Sequence, residues 1–145
     1  MLGTVMVLTQ ACAQNTAVPT KITSSFSKKF PTAKKVKWDK ENETEWEAEF
    51  KMNGEAYSAN YSNEGIWKET EHEIEKSAIP AAVKKTLDTE FARYDIEEAE
   101  VSETPEGTVY EFALEKDEMD MEVAISPDGK VLKKEMKKND EEDKD

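Results

Sequence analysis

The sequence predicts an α+β fold, a tandem repeat of one helix plus a four-stranded antiparallel sheet, with the helices on one face. Three observations carry it. A helical apolar stripe occurs twice, each stripe is followed by period-two alternation, and the turn tetrads "SNEG" (62–65) and "SPDG" (126–129) stand 64 residues apart. The repeats are read as residues 14–78 and 79–138.

The helices come first. "VPTKITSSFSKKF" (18–30) matches "IPAAVKKTLDTEF" (79–91) at an offset of 61, so Val18, Ile22, Phe26 and Phe30 map onto Ile79, Val83, Leu87 and Phe91. Steps of four residues advance about 400° around a helix, which gathers these positions into a stripe roughly 120° wide, a face to be buried. Pro19 and Pro80 fall in a first turn, where proline is tolerated, and Pro31 opposes continuation past Phe30.

After each helix the period changes to two, the pattern of strands with one covered face. Val36 and Trp38 alternate with lysines, and Ala99 and Val101 with glutamates. Trp46, Ala48 and Phe50 correspond to Tyr110, Phe112 and Leu114, and Tyr57, Ala59 and Tyr61 to Met121, Val123 and Ile125. The last strands begin near Trp67 and Val131. Asn53-Gly54 marks a tight hairpin, and each tetrad reads as a type I turn closed by a glycine free to take positive φ. The offset grows from 61 to 64 between helix and sheet, so the second repeat holds a few extra residues there. Each sheet then has one face under its helix and one open. Glu47, Glu49, Glu111, Glu115, Asp120 and Glu122 lie on the polar parity, so the open face is expected to be acidic.

The chain has 145 residues, with 20 Lys+Arg against 33 Asp+Glu and a net charge of −13. That balance excludes a nucleic-acid reader, which needs a basic footprint, and favours cations or basic partner surfaces. The charge is uneven, since residues 14–40 hold seven lysines and Asp39 as their one acid. The first 13 residues read as an export signal, with an apolar run "LGTVMVL" too short to span a bilayer and "ACA" before Gln14. Two processing routes fit: cleavage after Ala13, or acylation of Cys12, which would be the chain's one tie to a membrane. Both imply a periplasmic or secreted protein. Cys12 is the single cysteine, so no internal disulfide and no cysteine metal site is expected. "NDEEDKD" (139–145) has no apolar residue and reads as a disordered acidic tail.

Little in the sequence points to catalysis. His72 is the single histidine, and its neighbours Glu71 and Glu73 point to the opposite strand face, so the three make a poor metal site and His72 reads as a solvated strand residue. Asp117, Glu118, Asp120 and Glu122 lack the loop spacing of a calcium site. No nucleophile motif, phosphate loop or Cys/His pair is present, so no catalytic residue, metal or cofactor is expected. Of the aromatics, Trp46, Tyr57 and Tyr61 read as core, and Trp67, just after a turn, as an exposed anchor.

The stretch from "FSKKFPTAKKVKW" through "YSNEGIW", with "IPAAVKKTLDTEFARYDIEEAEV" and "ISPDGKVLKKE", resembles the PepSY-like, β-lactamase-inhibitor-like (BLIP-like) family over roughly residues 18–138. The resemblance implies secreted or periplasmic proteins with tandem helix-plus-four-strand repeats; the inhibitor that lends the family its name clamps an enzyme with similar sheets and inserts an acidic hairpin residue. The corresponding hairpin is "KMNGEA" (51–56), with Asn53-Gly54 at its tip and Glu55 after it. The expected function is a non-catalytic envelope protein-binding module, an inhibitor or regulator of a hydrolase. It would engage another envelope protein with a basic surface through Asn53, Gly54, Glu55, Trp67, Glu47, Glu49, Glu111, Asp120 and Glu122. The alternative is a periplasmic carrier of a small ligand or cation.

Overall fold

The computed structural model describes residues 17–137. The predicted export signal, Cys12 and residues 139–145 lie outside them. The element order is α1 (Thr20–Lys29), β1 (Lys34–Lys40), β2 (Glu45–Met52), β3 (Glu55–Ser62), β4 (Trp67–Glu73), a 3-10 turn (Lys76–Ala78), α2 (Ala81–Glu90), β5 (Asp95–Thr104), β6 (Gly107–Lys116), β7 (Met119–Ile125) and β8 (Val131–Lys137). The class is α+β, with two helices and more strand than helix. The strands form a single antiparallel sheet in the order β1 to β8, where the sequence reading had two separate four-stranded sheets. The described residues divide into two compact units, one of residues 17–72 with 103–106, the other of 73–102 with 107–137.

In the first unit, α1 begins at Pro19, whose carbonyl accepts the Ile22 N–H at 2.9 Å. The helix ends at Phe30, which leaves helical geometry at φ −123° just before Pro31. Ile22, Phe26 and Phe30 are buried against Trp46, Ala48 and Phe50 of β2 and Ala59 and Tyr61 of β3, so one sheet face is covered as the alternation predicts. This core is aromatic, with Phe26 within 5.3 Å of the Phe30, Trp38 and Phe50 rings, centroid to centroid. Tyr61 is fully enclosed, and burial pushes its phenol up to about 12.

In the second unit, α2 begins at Pro80 and lays Val83, Leu87 and Phe91 over Ala99, Phe112, Leu114, Met121, Val123 and Ile125. Here most of the filling is aliphatic, with Phe91 and Phe112 the buried rings, and side chains of different shape occupy the matched positions.

The turns follow the sequence closely. Asn53 and Gly54 both take positive φ, 54° and 83°, and join β2 to β3 with Met52 opposite Glu55. In the β6–β7 hairpin the same two places hold Asp117 and Glu118 at φ 50° and 66°, a conformation costly for side chains with a Cβ. The tetrad glycines, Gly65 (φ 81°) and Gly129 (φ 90°), donate their N–H to Ser62 and Ser126 carbonyls at 2.9 Å each. Each lies against the backbone of the helix in its own unit.

Candidate acidic sheet face

Strand parity and register define the uncovered face of each unit. In the first, β1 contributes Lys37 and Asp39, β2 Glu47 and Glu49, β3 Ser58 and Asn60, and β4 Glu69 and Glu71. Glu47 stands between Asp39 and Asn60, Glu49 between Lys37 and Ser58, and Asn60 and Ser58 face Glu69 and Glu71. Glu45 and Lys51 of β2 share this parity, and Lys51 pairs with Lys34, so six carboxylates in the paired register share the face with three lysines, Lys34, Lys37 and Lys51. Lys37 Nζ lies 3.3 Å from Asp39 and 4.0 Å from Glu49, and those carboxylates raise its pKa.

Glu47 is the perturbed group on this face. Its partial burial, then the charges of Glu41 and Glu49, a hydrogen bond with the Glu41 carboxyl and the charge of Asp39 push its pKa up to about 7. A carboxyl whose folded pKa lies above its unfolded value binds its proton more tightly in the native state. Stability is therefore undiminished below the ordinary carboxylate range and falls as pH rises toward 7. Glu47→Gln removes the ionisation. It should leave urea stability unchanged at pH 4 and raise it by about 1 kcal/mol at pH 8, a figure discounted for the solvent reaching a half-buried side chain. A variant less stable than the parent at pH 8 would contradict this reading.

In the second unit, β6 contributes Glu111, Ala113 and Glu115, β7 Asp120, Glu122 and Ala124, and β8 Lys133, Glu135 and Lys137. Lys137 Nζ lies 2.7 Å from Glu122, and Lys133 Nζ 3.1 Å from Glu135. Carboxylates outnumber lysines on both faces, as expected of an acidic open face, but β1, β2 and β8 lay lysines alongside them.

The predicted site residues fall into separate groups. Glu47 and Glu49 are neighbours on the first face, and Glu111, Asp120 and Glu122 share the second. Asn53, Gly54 and Glu55 are exposed at the β2–β3 tip, where Glu55 Oε2 accepts a 3.4 Å hydrogen bond from Tyr57 Oη.

Trp67 is not the exposed anchor the sequence suggested. A bulge skips Lys68, so that Tyr61 pairs with Trp67 while Asn60 pairs with Glu69. That step moves Trp67 from the parity of Glu69 and Glu71 to the covered side. It packs against the first core, its Nε1–H donates to Thr70 Oγ1 at 2.8 Å, and Lys29 Nζ sits 3.7 Å from the ring centroid. His72 is also not simply solvated. It is half-buried, with its ring 4.6 Å from that of Tyr57. Among the described residues no three His, Cys, Asp or Glu side chains converge to hold a metal ion.

The lysines of β8 were missed because a second bulge, between Ala124/Lys133 and Ile125/Val131, separates Val131 from the parity of Lys133, Glu135 and Lys137. The adjacent glycine tetrad is the signal that could have found it.

With this geometry the chain can be compared with known proteins. The family model described as "Putative beta-lactamase-inhibitor-like, PepSY-like" matches residues 9–57 and 44–133. The chain belongs to the PepSY-like family. Among solved structures, a BLIP-like protein from Bacteroides fragilis superposes with a TM-score of 0.77 at 18% identity, covering 83% of this chain and 87% of that one. A DUF2874 family protein from Bacteroides ovatus gives 0.77 at 20% identity, over 83% and 89%. A protein from Bacteroides eggerthii described as a putative periplasmic protein gives 0.76 at 21%, over 83% and 90%. At these identities the likeness establishes the fold. A search of curated proteins returns no match. No helix among the described residues is long and apolar enough to cross a membrane.

Proposed function

We propose that this PepSY-like chain is a non-catalytic protein-binding module of the cell envelope, built as a tandem repeat of helix plus four strands, that engages a basic surface of another envelope protein through its acidic open faces. The observation that carries the reading is the row of carboxylates on the uncovered side of β1–β4, six in the paired register against Lys34, Lys37 and Lys51, with Asp39, Glu47 and Glu49, at the centre of the β1–β2 pair, facing Lys37 alone. The matched burial of Ile22, Phe26 and Phe30 with Val83, Leu87 and Phe91 supports the repeat. The family's inhibitor-like description and the periplasmic description of a structural neighbour support an inhibitor or regulator of an envelope hydrolase.

Size sets the scale of docking. Four strands spaced about 4.8 Å apart and seven residues long span roughly 19 by 23 Å, or about 440 Å². The first unit's face alone is thus about half of the roughly 800 Å² per partner of a standard interface. Glu47, with its pKa near 7 beside other carboxylates, is the nearest approach to an acid–base residue, and it stands on the strand face opposite the helix, away from the α1–β1 groove.

The test is capture from envelope extract on the immobilised chain. A partner should be retained at about 50 mM salt, released at about 500 mM, and absent from a variant with Glu49, Glu111 and Asp120 changed to their amides. Retention that ignores both salt and the amide changes would overturn the proposal.

A further inference from the structure

We infer that the groove between α1 and β1 receives an aromatic side chain carried by an acidic segment of another protein. This goes beyond the acidic-face reading, since it uses the covered side of the first unit and asks for a partner of opposite charge.

The argument rests on a comparison inside the molecule. Just after each helix, one residue turns back to hydrogen-bond the helix-ending phenylalanine: Ala33 N–H donates to the Phe30 carbonyl at 3.1 Å, and Tyr94 N–H to that of Phe91 at 3.0 Å. Both residues line a groove whose helix-side wall is also matched. Phe26, Ser27, Phe30 and Pro31 in the first unit correspond to Leu87, Asp88, Phe91 and Ala92 in the second. In the second unit the Tyr94 ring lies edge-on to Phe91, centroids 6.3 Å apart at 72°, and packs against the core. Only about 70 Å³ remains there. In the first unit Ala33 offers a methyl group, and the groove holds about 240 Å³. The chain fills one groove with its own aromatic ring and leaves the other open at the same place.

The open groove has the chemistry to accept such a ring. Phe26 and Trp38 form its walls, Val36 beside them stays 38% exposed, and Thr23 and Ser27 add hydroxyls. Its volume falls below the roughly 300–1,000 Å³ of drug-sized pockets, so it suits one side chain. Edge-to-face packing against Phe26, Phe30 and Trp38 would repeat what Tyr94 makes with Phe91.

Charge specifies what carries the ring. Residues 17–38 contain six lysines and no acid. Lys29 is held over Trp67 and Lys37 lies on the opposite face. Lys34 pairs with Lys51 on that same opposite face, while Lys28 and Lys35 are exposed and stand next to the groove-lining Ser27 and Val36 in the chain. In the second unit the matched lining includes Asp88. A carboxylate-rich segment is the complement of the first groove.

The test titrates a capped Glu-Asp-Tyr-Glu-Asp peptide into the chain at about 50 mM salt, following amide shifts and the fluorescence of Trp38. Saturable binding is expected, at least about tenfold weaker when the peptide tyrosine becomes alanine and lost when its acids become lysines. Ala33→Tyr should supply the missing ring internally and abolish binding while thermal unfolding stays the same or rises. Ser27→Tyr, closing the groove from an exposed helix position, is the second variant should the first fold poorly. No saturable binding, equal binding of the alanine peptide, binding retained in a folded Ala33→Tyr or Ser27→Tyr chain, or attachment only to anionic phosphatidylglycerol vesicles would each overturn the inference.

Discussion

Replacing Gly129 by alanine should destabilise the chain by about 3 kcal/mol, the sum of a left-handed backbone penalty and an overpacked contact. Gly129 sits at φ 90°, a conformation that an L side chain adopts only at a cost. A methyl group there would also stand 2.7 Å from the Ala82 carbonyl oxygen and 2.9 Å from Thr86 Oγ1. The first of these atoms belongs to helix backbone and cannot swing aside. Thr86 Oγ1 donates to the Gly129 carbonyl at 2.5 Å, so a shift that relieves the clash also loosens that bond. Gly54 gives the internal control, because it has φ 83° but nothing within 4 Å of a Cβ. Gly54→Ala should therefore show the backbone penalty alone, about 1 kcal/mol. Urea unfolding followed by far-UV circular dichroism measures both. Equal costs for the two variants would mean that the turn does not press on α2 as described.

That contact explains why the repeated tetrads were so informative. A glycine at the end of "SNEG" and of "SPDG" serves both a turn that needs positive φ and a helix that leaves no room for a side chain. Two constraints on one position leave a clear mark in sequence. The helices were legible for a similar reason, since Ile22, Phe26, Val83 and Leu87 recur at helical spacing and all are buried. Where reading misassigned a strand face, the cause was a shift of one residue in pairing. Trp67 and Val131 each follow a glycine turn, and each is carried off its apparent parity by a bulge. Alternation counts residues and cannot see that a strand has skipped one. Lys133 and Lys137 were overlooked as members of the open face for the same reason. The groove beside Ala33 was not legible at all, because an absent ring leaves no pattern until the matched Tyr94 is seen in place.

Truncating Phe26 to alanine should be the costliest single change in the first unit, about 3–5 kcal/mol. Phe26 is 4% exposed and central to the covered face, with ring centroids of Phe50, Trp38 and Phe30 at 5.0, 5.2 and 5.3 Å and that of Tyr61 at 6.2 Å. Its removal deletes four aromatic contacts at once, and neighbours that are themselves rigid rings cannot collapse to refill the space. Phe26 also walls the α1–β1 groove, so the void would join an existing opening and admit water beside the core. The matched residue of the second unit is Leu87, equally buried at 4%. Phe26→Leu therefore puts into the first helix the side chain that the same position of the second already uses. It should cost only about 1 kcal/mol, because an apolar swap that keeps most of the volume is tolerated. Trp38, Trp46 and Trp67 all lie in residues 17–72, so tryptophan fluorescence during urea unfolding reads this unit directly. If the leucine and alanine variants were equally damaging, the position would depend on ring-specific contacts, and its equivalence with Leu87 would fail. If both were mild, α1 would not be the lid on this sheet.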